Sequence, residues 1–170
     1  RIMKDKGSCE LFDAAERIHK DYPHAVFQLI GSLDGDLEQT LRTAQAKGVI
    51  EHLGEQRDVR PFIRDCHAVI HASYHEGMSN VLLEAAATGR PVLATNIPGC
   101  KEAVEDNMTG LLFKPRSSDA LESTIEYFLS MPIKQRVSMG QAARLKMEQE
   151  FDRKRVVESY IEEIDKILKN

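Results

Sequence analysis

Hydrophobic residues recur along this chain at two spacings. Leu11, Phe12, Ala15 and Ile18 fall three or four positions apart behind Ser8 and stop before Pro23. That predicts an amphipathic helix over 8–21 with Ser8 as its N-cap. The run 25–30, closed by Gly31, is short, apolar and bounded by turn residues, which reads as a buried strand. Helical spacing returns over 36–47 and stops at Gly48; 49–53 is a second strand ending at Gly54. A short helix over 58–65 carries Pro61 in its first turn, where the missing N–H costs nothing. The alternation continues with a strand over 67–72, a helix over 79–88, a strand over 91–95, a short helix over 101–106 and a strand over 111–113. Beyond Pro115 the strands stop. Three helices are predicted, over 118–131, 133–150 and 152–170, the last with an apolar stripe of Val156, Val157, Tyr160, Ile161, Ile164 and Ile167 or Leu168.

Strands separated by helices, with almost no hairpin signals, predict parallel βαβ units. The expected fold class is α/β: a Rossmann-like doubly wound parallel sheet over 1–115 with trailing C-terminal helices over 116–170. The 170 residues, 42% hydrophobic and 29% charged, suit one globular domain that needs no staple. A formal charge of −4 with scattered basic residues gives no footprint for nucleic acid, so an anionic partner must bind at a local site. Cys9, Cys66 and Cys100 show no C-x-x-C pair and read as free thiols in a reducing cytoplasm. No apolar run approaches the ~18 residues of a membrane span, and the start lacks the features of a secretory signal. Arg1, followed by a turn-like Lys4-Asp5-Lys6-Gly7, suggests a piece of a longer protein.

In open parallel sheets, ligands bind beyond the carboxyl ends of the strands, which directs attention to the segments after Ala72 and Thr95. Neither G-x-G-x-x-G after the first strands nor G-x-x-x-x-G-K-[ST] is present, which disfavours a dinucleotide dehydrogenase or a P-loop enzyme. The informative stretch is Ser73 to Val92, S-Y-H-E-G-M-S-N-V-L-L-E-A-A-A-T-G-R-P-V. Gly77 removes a side chain where backbone meets ligand, and a helix starting near Ser79 offers free N–H groups to phosphate oxygens. Glu84, roughly 7–8 Å along that helix, is placed to accept ribose hydroxyls. Glu76, just ahead of the helix, is placed against the group that a nucleotide diphosphate carries.

The pattern E-G-x-x-x-x-x-x-E-A-x-x-x-G-x-P-V resembles the retaining glycosyltransferases of family 4, which have the two-domain GT-B fold. Arg1 with Lys6-Gly7 looks like that family's R-x-x-x-x-K-G, Leu53-Gly54 like its F-L-G, and Thr109-Gly110-Leu111-Leu112 like its t-G-x-L. The resemblance implies that the chain is the C-terminal, nucleotide-sugar-binding half of such an enzyme. As catalytic residues it implies Glu76 on the donor sugar, with Arg1 and Lys6 on the phosphates of the leaving diphosphate. For the donor nucleotide it implies Glu84 on the ribose; Gly77, Met78, Ser79, Asn80, Val81 and Leu82 around phosphate and sugar; and Arg57 and Val59 at the base.

The donor would be a uridine diphosphate hexose, and the acceptor a glycan or lipid-linked glycan held by the absent N-terminal half. No metal or other cofactor is expected, a positive cradle replacing the metal's charge. The implied location is the cytoplasm, with any peripheral contact at the inner membrane face made through the full-length protein. Ala72-Ser73 stands where many members have P-S, and Asn96-Ile97-Pro98-Gly99-Cys100-Lys101-Glu102 replaces the commoner paired glycines beside the donor sugar. This version of the loop looks like members that build bacterial surface polysaccharide.

Other readings of the same residues stand beside this one. His67, His71 and His75 repeat every four positions, but 68–70 reads as a strand, where that spacing does not converge on a metal. Glu76 and Glu84 by themselves also fit a hydrolase pair or two surface charges. Asn80 suits the first turn of any helix. The competing functions are a non-catalytic flavodoxin-like or receiver-type module, and a GT-B epimerase or phosphorylase.

Overall fold

The computed structural model describes residues 1–168, apart from the side chain of Val156. A 3-10 turn, Lys4–Lys6, leads through Gly7 into α1 (Ser8–Asp21). There follow β1 (Phe27–Leu29), α2 (Glu38–Ala46), β2 (Ile50–His52), α3 (Arg60–Asp65), β3 (Val69–His71), α4 (Asn80–Ala87), β4 (Val92–Thr95) and β5 (Gly110–Phe113). Three helices close the chain: α5 (Ser118–Ser130), α6 (Ile133–Glu150) and α7 (Arg153–Leu168). The helix expected to reach Asn170 is therefore described as far as Leu168.

The described strand pairings are all parallel. β1 pairs with β2 (Phe27 opposite Ile50), β3 with β4 (Val69 opposite Val92) and β4 with β5 (Val92 opposite Gly110). This is the expected α/β class, with the paired strands falling into one group of two and one of three. Alternation along β4 shows why helices cover both faces. Leu93 packs with Ile18 of α1 and Leu121, Ile125 and Phe128 of α5, whereas Val92 and Ala94 pack with Ile63 of α3 and Leu82 and Ala85 of α4. Between α1, α2 and the first two strands lies a third apolar cluster of Ile2, Phe12, Ala15, Leu37, Leu41 and Ile50. α6 docks on α4 through Ala86, Ala143 and Met147, and the approach is close enough that a Cβ on Gly140 would lie 2.1 Å from the Gly89 carbonyl oxygen.

Two local expectations differ in detail. Ser8 is the first residue of α1, and the cap position belongs to Gly7 in the left-handed conformation, φ 68°. The Ser8 hydroxyl instead donates to the Met3 carbonyl, 2.9 Å, and so closes the preceding turn. The segment 101–106 is a set of turns, not a helix. Gly99 at φ +83° turns the chain just ahead of it, and the Glu105 N–H is taken by the Thr109 hydroxyl, 2.8 Å. The Leu112 N–H donates to the Asp106 carboxylate, 2.8 Å, so the end of that segment is committed to the edge of β5.

Residues 1–7 position the site. The Ile2 N–H donates to the Ser32 carbonyl, 2.7 Å, and its carbonyl accepts from Asp34, 2.9 Å, just beyond β1. Asp5 then accepts from the Tyr74 N–H, 3.0 Å, just beyond β3. This strap laces together the carboxyl ends of the two strand groups.

Candidate functional site

Parallel pairing places the chain's exits from β3 and β4 side by side, and the segment after β3 leads directly into α4. Ser79, backbone extended and 6% exposed, occupies the cap position of α4, but its side chain makes no capping hydrogen bond. The helix therefore opens with N–H groups that no side chain satisfies, the polarity that suits an anion. The buried face of α4 is Leu82, Ala85 and Ala86; Asn80, Val81 and Glu84 lie on its exposed face. Positions 80, 81 and 84 are helical neighbours, so Glu84 stands one turn along from the free N-terminus on the same side. Met78 and Val81, both nearly half exposed, flank this opening.

Gly77 is the least expected residue of the loop on structural grounds. Its φ lies outside the left-handed region, and a Cβ there would meet nothing within 4 Å. Neither backbone conformation nor packing explains the missing side chain. Two other glycines are explained fully. Gly7, at φ 68°, brings the Lys4–Lys6 turn so close to β3 that a Cβ would lie 2.1 Å from the Ala72 carbonyl oxygen. Gly99, at φ 83°, presses the loop after β4 against the loop after β3, and its Cβ would fall 1.7 Å from the Gly77 carbonyl oxygen.

Close approach at Gly7 delivers Lys6 to Glu76. The Lys6 ammonium donates to Glu76 Oε1 at 2.5 Å, joining residues 70 positions apart. The carboxylate is the more buried partner, its side chain 15% exposed against 40% for Lys6. Burial alone pushes the Glu76 carboxyl up, but the hydrogen bond from Lys6, the nearby Ser73 hydroxyl and the proximity of His71 together hold it below the ordinary carboxylate range. Glu76 is therefore ionised at neutral pH.

His71, the last residue of β3, has its Nε2 3.1 Å from the same Oε1. The alignment falls short of a hydrogen bond, and Nε2 is buried with no other partner. Burial, chiefly, holds His71 below its ordinary pKa; Glu76 opposes this and Lys6 reinforces it. Sequence reasoning considered His71 only as a metal ligand. The signal that would have found it is its position at the carboxyl end of a strand, pointing to the same side as the loop that follows.

The structure thus brings Lys6, Glu76, Gly77 and the start of α4 into one place. Arg1 is exposed, its backbone beside Gly31 at the end of β1. Arg57 is exposed in the segment after β2, and Val59 caps α3 with its side chain against the apolar cluster of Ile63 and Leu82. No group of three or more His, Cys, Asp or Glu side chains arranged to hold a metal occurs among the described residues. Cys9, Cys66 and Cys100 are free thiols, and burial pushes the last two up. No described helix is long and apolar enough to cross a membrane. A cavity of about 730 Å³ lies at the far end of α4, but Arg60, Arg64 and Arg144 on its walls already engage Asp58, Asp65 and Glu148.

Comparison with known proteins gives a consistent result. Residues 1–146 match the model of the family described as glycosyl transferases group 1. Over all 170 residues the chain is 26% identical to the N,N'-diacetylbacillosaminyl-diphospho-undecaprenol alpha-1,3-N-acetylgalactosaminyltransferase of Campylobacter jejuni, of which it covers 44%. It superposes on HepE of Anabaena, solved in complex with UDP, with a TM-score of 0.88 at 25% identity, covering 98% of this chain and 47% of that one. It also superposes on the C-terminal domain of a group 1 glycosyl transferase, LpcC, from Francisella tularensis: TM-score 0.78, 27% identity, 89% of this chain and 82% of that one. The chain spans less than half the length of the Campylobacter relative.

Proposed function

Because this chain belongs to the glycosyl transferases group 1 family, we propose that it is the donor-binding half of a retaining, family 4 glycosyltransferase of the GT-B fold. The reaction moves a hexose from a uridine diphosphate sugar to a glycan or lipid-linked acceptor, in bacterial surface polysaccharide synthesis. The observation that carries this reading is the meeting of Lys6 and Glu76 at the uncapped N-terminus of α4. A diphosphate placed there gains the helix N–H groups and the Lys6 ammonium, and the Glu76 carboxylate faces the sugar beyond it. Lys6 and Arg1 stabilise the negative charge that gathers on the leaving diphosphate, so the step needs no metal. Glu84 on the exposed face of α4 accepts the ribose hydroxyls, and Arg57 and Val59 border the base. The Campylobacter relative acts on a diphospho-undecaprenol, and HepE was solved with UDP. The first supports a lipid-linked acceptor here and the second a UDP sugar.

The acceptor site belongs to a further N-terminal half, and the chain by itself is expected to bind donor without transferring sugar. The test is calorimetric titration of the purified chain with uridine, guanosine and adenosine diphosphates in the presence of a chelator. Preferential binding of UDP is expected; equal binding of all three, or binding abolished by the chelator, overturns the base assignment or the metal-free reading respectively. Glu84→Ala is expected to weaken UDP binding by about 1–3 kcal/mol, the range for a charged hydrogen-bond acceptor. Unchanged affinity removes Glu84 from the site.

A further inference from the structure

Glu76 has one crowded oxygen and one open one. Lys6 and His71 both approach Oε1, at 2.5 and 3.1 Å, while Oε2 takes part in neither contact. Lys6 also has a second claim on it, because the donor-binding reading above, on which this inference rests, gives its ammonium to the diphosphate. A lysine with 40% of its side chain exposed, at the end of a short turn, can make that exchange; the histidine, 11% exposed and rooted in β3, cannot leave.

We propose that His71 is a positioning residue for donor binding: when Lys6 turns to the diphosphate, the His71 ring takes over Oε1 and keeps the Glu76 carboxylate aimed with Oε2 toward the sugar. The unpartnered Nε2 of the free state is then the reserved half of a hydrogen bond that completes only in the bound state.

The exchange has a proton signature. In the free chain the charged and titratable groups facing the ring are Glu76 from the loop after β3 and Lys6 from the N-terminal turn; Cys100, from the turns after β4, is a buried thiol within electrostatic reach of both Glu76 and Lys6. Glu76 favours the imidazolium and Lys6 opposes it. Transfer of Lys6 to the phosphates removes the opposing charge and leaves Glu76 in place, and the phosphates add negative charge nearby. The histidine pKa therefore rises on binding, and the ring takes up part of a proton from solvent as it closes onto Oε1.

The test is calorimetric titration of the 170-residue chain with UDP near pH 7 in two buffers of different ionisation enthalpy, which counts protons exchanged. It is accompanied by nitrogen-15 spectra of the histidine rings before and after UDP. Wild type is expected to take up a fraction of a proton, with the His71 ring moving toward the imidazolium form. His71→Gln, whose amide reaches the place of Nε2 without titrating, is expected to bind UDP within about twofold of wild type and to lose the uptake. Among UDP-glucose, UDP-galactose and UDP-N-acetylglucosamine, whichever wild type binds more tightly than UDP should keep that advantage in His71→Gln and lose about tenfold of it in His71→Ala, the scale of one charged hydrogen bond. Binding of UDP by wild type without proton uptake, or uptake that persists in His71→Gln, overturns the role of His71 and leaves the donor-binding reading intact. Should His71→Gln fail to fold, a His71 ring that stays neutral in wild type with UDP bound overturns it equally. Failure of wild type to bind UDP or any of the three sugar nucleotides overturns both readings.

Discussion

A glycine that the protein does not need for itself is informative at the scale of one residue. At Gly77 the backbone would accept a side chain and open space would receive it. Gly77→Ala is therefore expected to change stability by no more than ~0.5 kcal/mol, as an ordinary surface substitution does. It is expected to cost about tenfold or more in UDP affinity, ~1.4 kcal/mol, because the methyl group would occupy the ligand's approach. Thermal melts paired with UDP titration check both halves, and an alanine variant that binds normally sinks the assignment. His71 gives the second prediction at this scale. Burial holds its folded pKa below the ordinary value of 6.5, so as pH falls the unfolded chain takes up that proton before the folded one does. The contribution is fully present above the ordinary histidine range and is lost as pH falls below it. Denaturant unfolding between about pH 5 and 7 should show stability declining with acidity, with a shallower slope in His71→Gln; equal slopes would refute this.

Among the elements, periodicity located nearly every helix and strand, because a stripe three or four residues apart or a short apolar run is legible without knowing what it packs against. The strand ends were less legible. The run 25–30 reads as six residues of strand, yet only Phe27–Leu29 pair, since pairing depends on a partner of equal length that the run itself does not contain. The helix expected over 101–106 fails for a related reason: the Glu105 N–H and the Asp106 carboxylate are claimed by Thr109 and Leu112, contacts that no local spacing announces. The E-G loop, Glu84 and the K-G pair were all visible as a motif, whereas the bond between Lys6 and Glu76 spans 70 positions and needed the fold. Gly7 is where element and site meet. Gly7→Ala would strain a left-handed backbone and drive a methyl group into the Ala72 carbonyl, costing roughly 1–3 kcal/mol or more. Because the same turn carries Lys6, UDP affinity should fall with it; a variant that melts lower but binds as before would separate the two.

For the molecule as a whole, the paired strands and both helical layers account for burial up to the end of α6, and α7 stands apart from that economy. Val157, Tyr160, Ile161, Ile164, Ile167 and Leu168 are 47–79% exposed along it, a larger run of apolar surface than a soluble monomer ordinarily shows. The stripe, Val156 included, was legible in the sequence, although the side chain of Val156 lies outside the described residues; spacing by itself does not say whether such a stripe is covered, because amphipathicity is the same whether or not a partner is present. The chain alone is expected to self-associate with rising concentration, and Ile161→Lys combined with Ile164→Lys to suppress it. Sedimentation velocity across a concentration series decides this, and a wild-type chain that stays monomeric throughout refutes it.

The strap of residues 1–7 has a mechanical consequence. Ile2 is stitched to the loop beyond β1 and Asp5 to the loop beyond β3, with Lys6 directly after the second stitch. Tension applied at the N-terminus is borne by those few hydrogen bonds in turn before it reaches the sheet, so Lys6 lies near the start of the load path. Whatever is covalently attached ahead of Arg1, whether an affinity tag, a surface anchor or a further domain, is a lever on the cation that meets Glu76. Donor affinity measured under load on that end would report the strap directly.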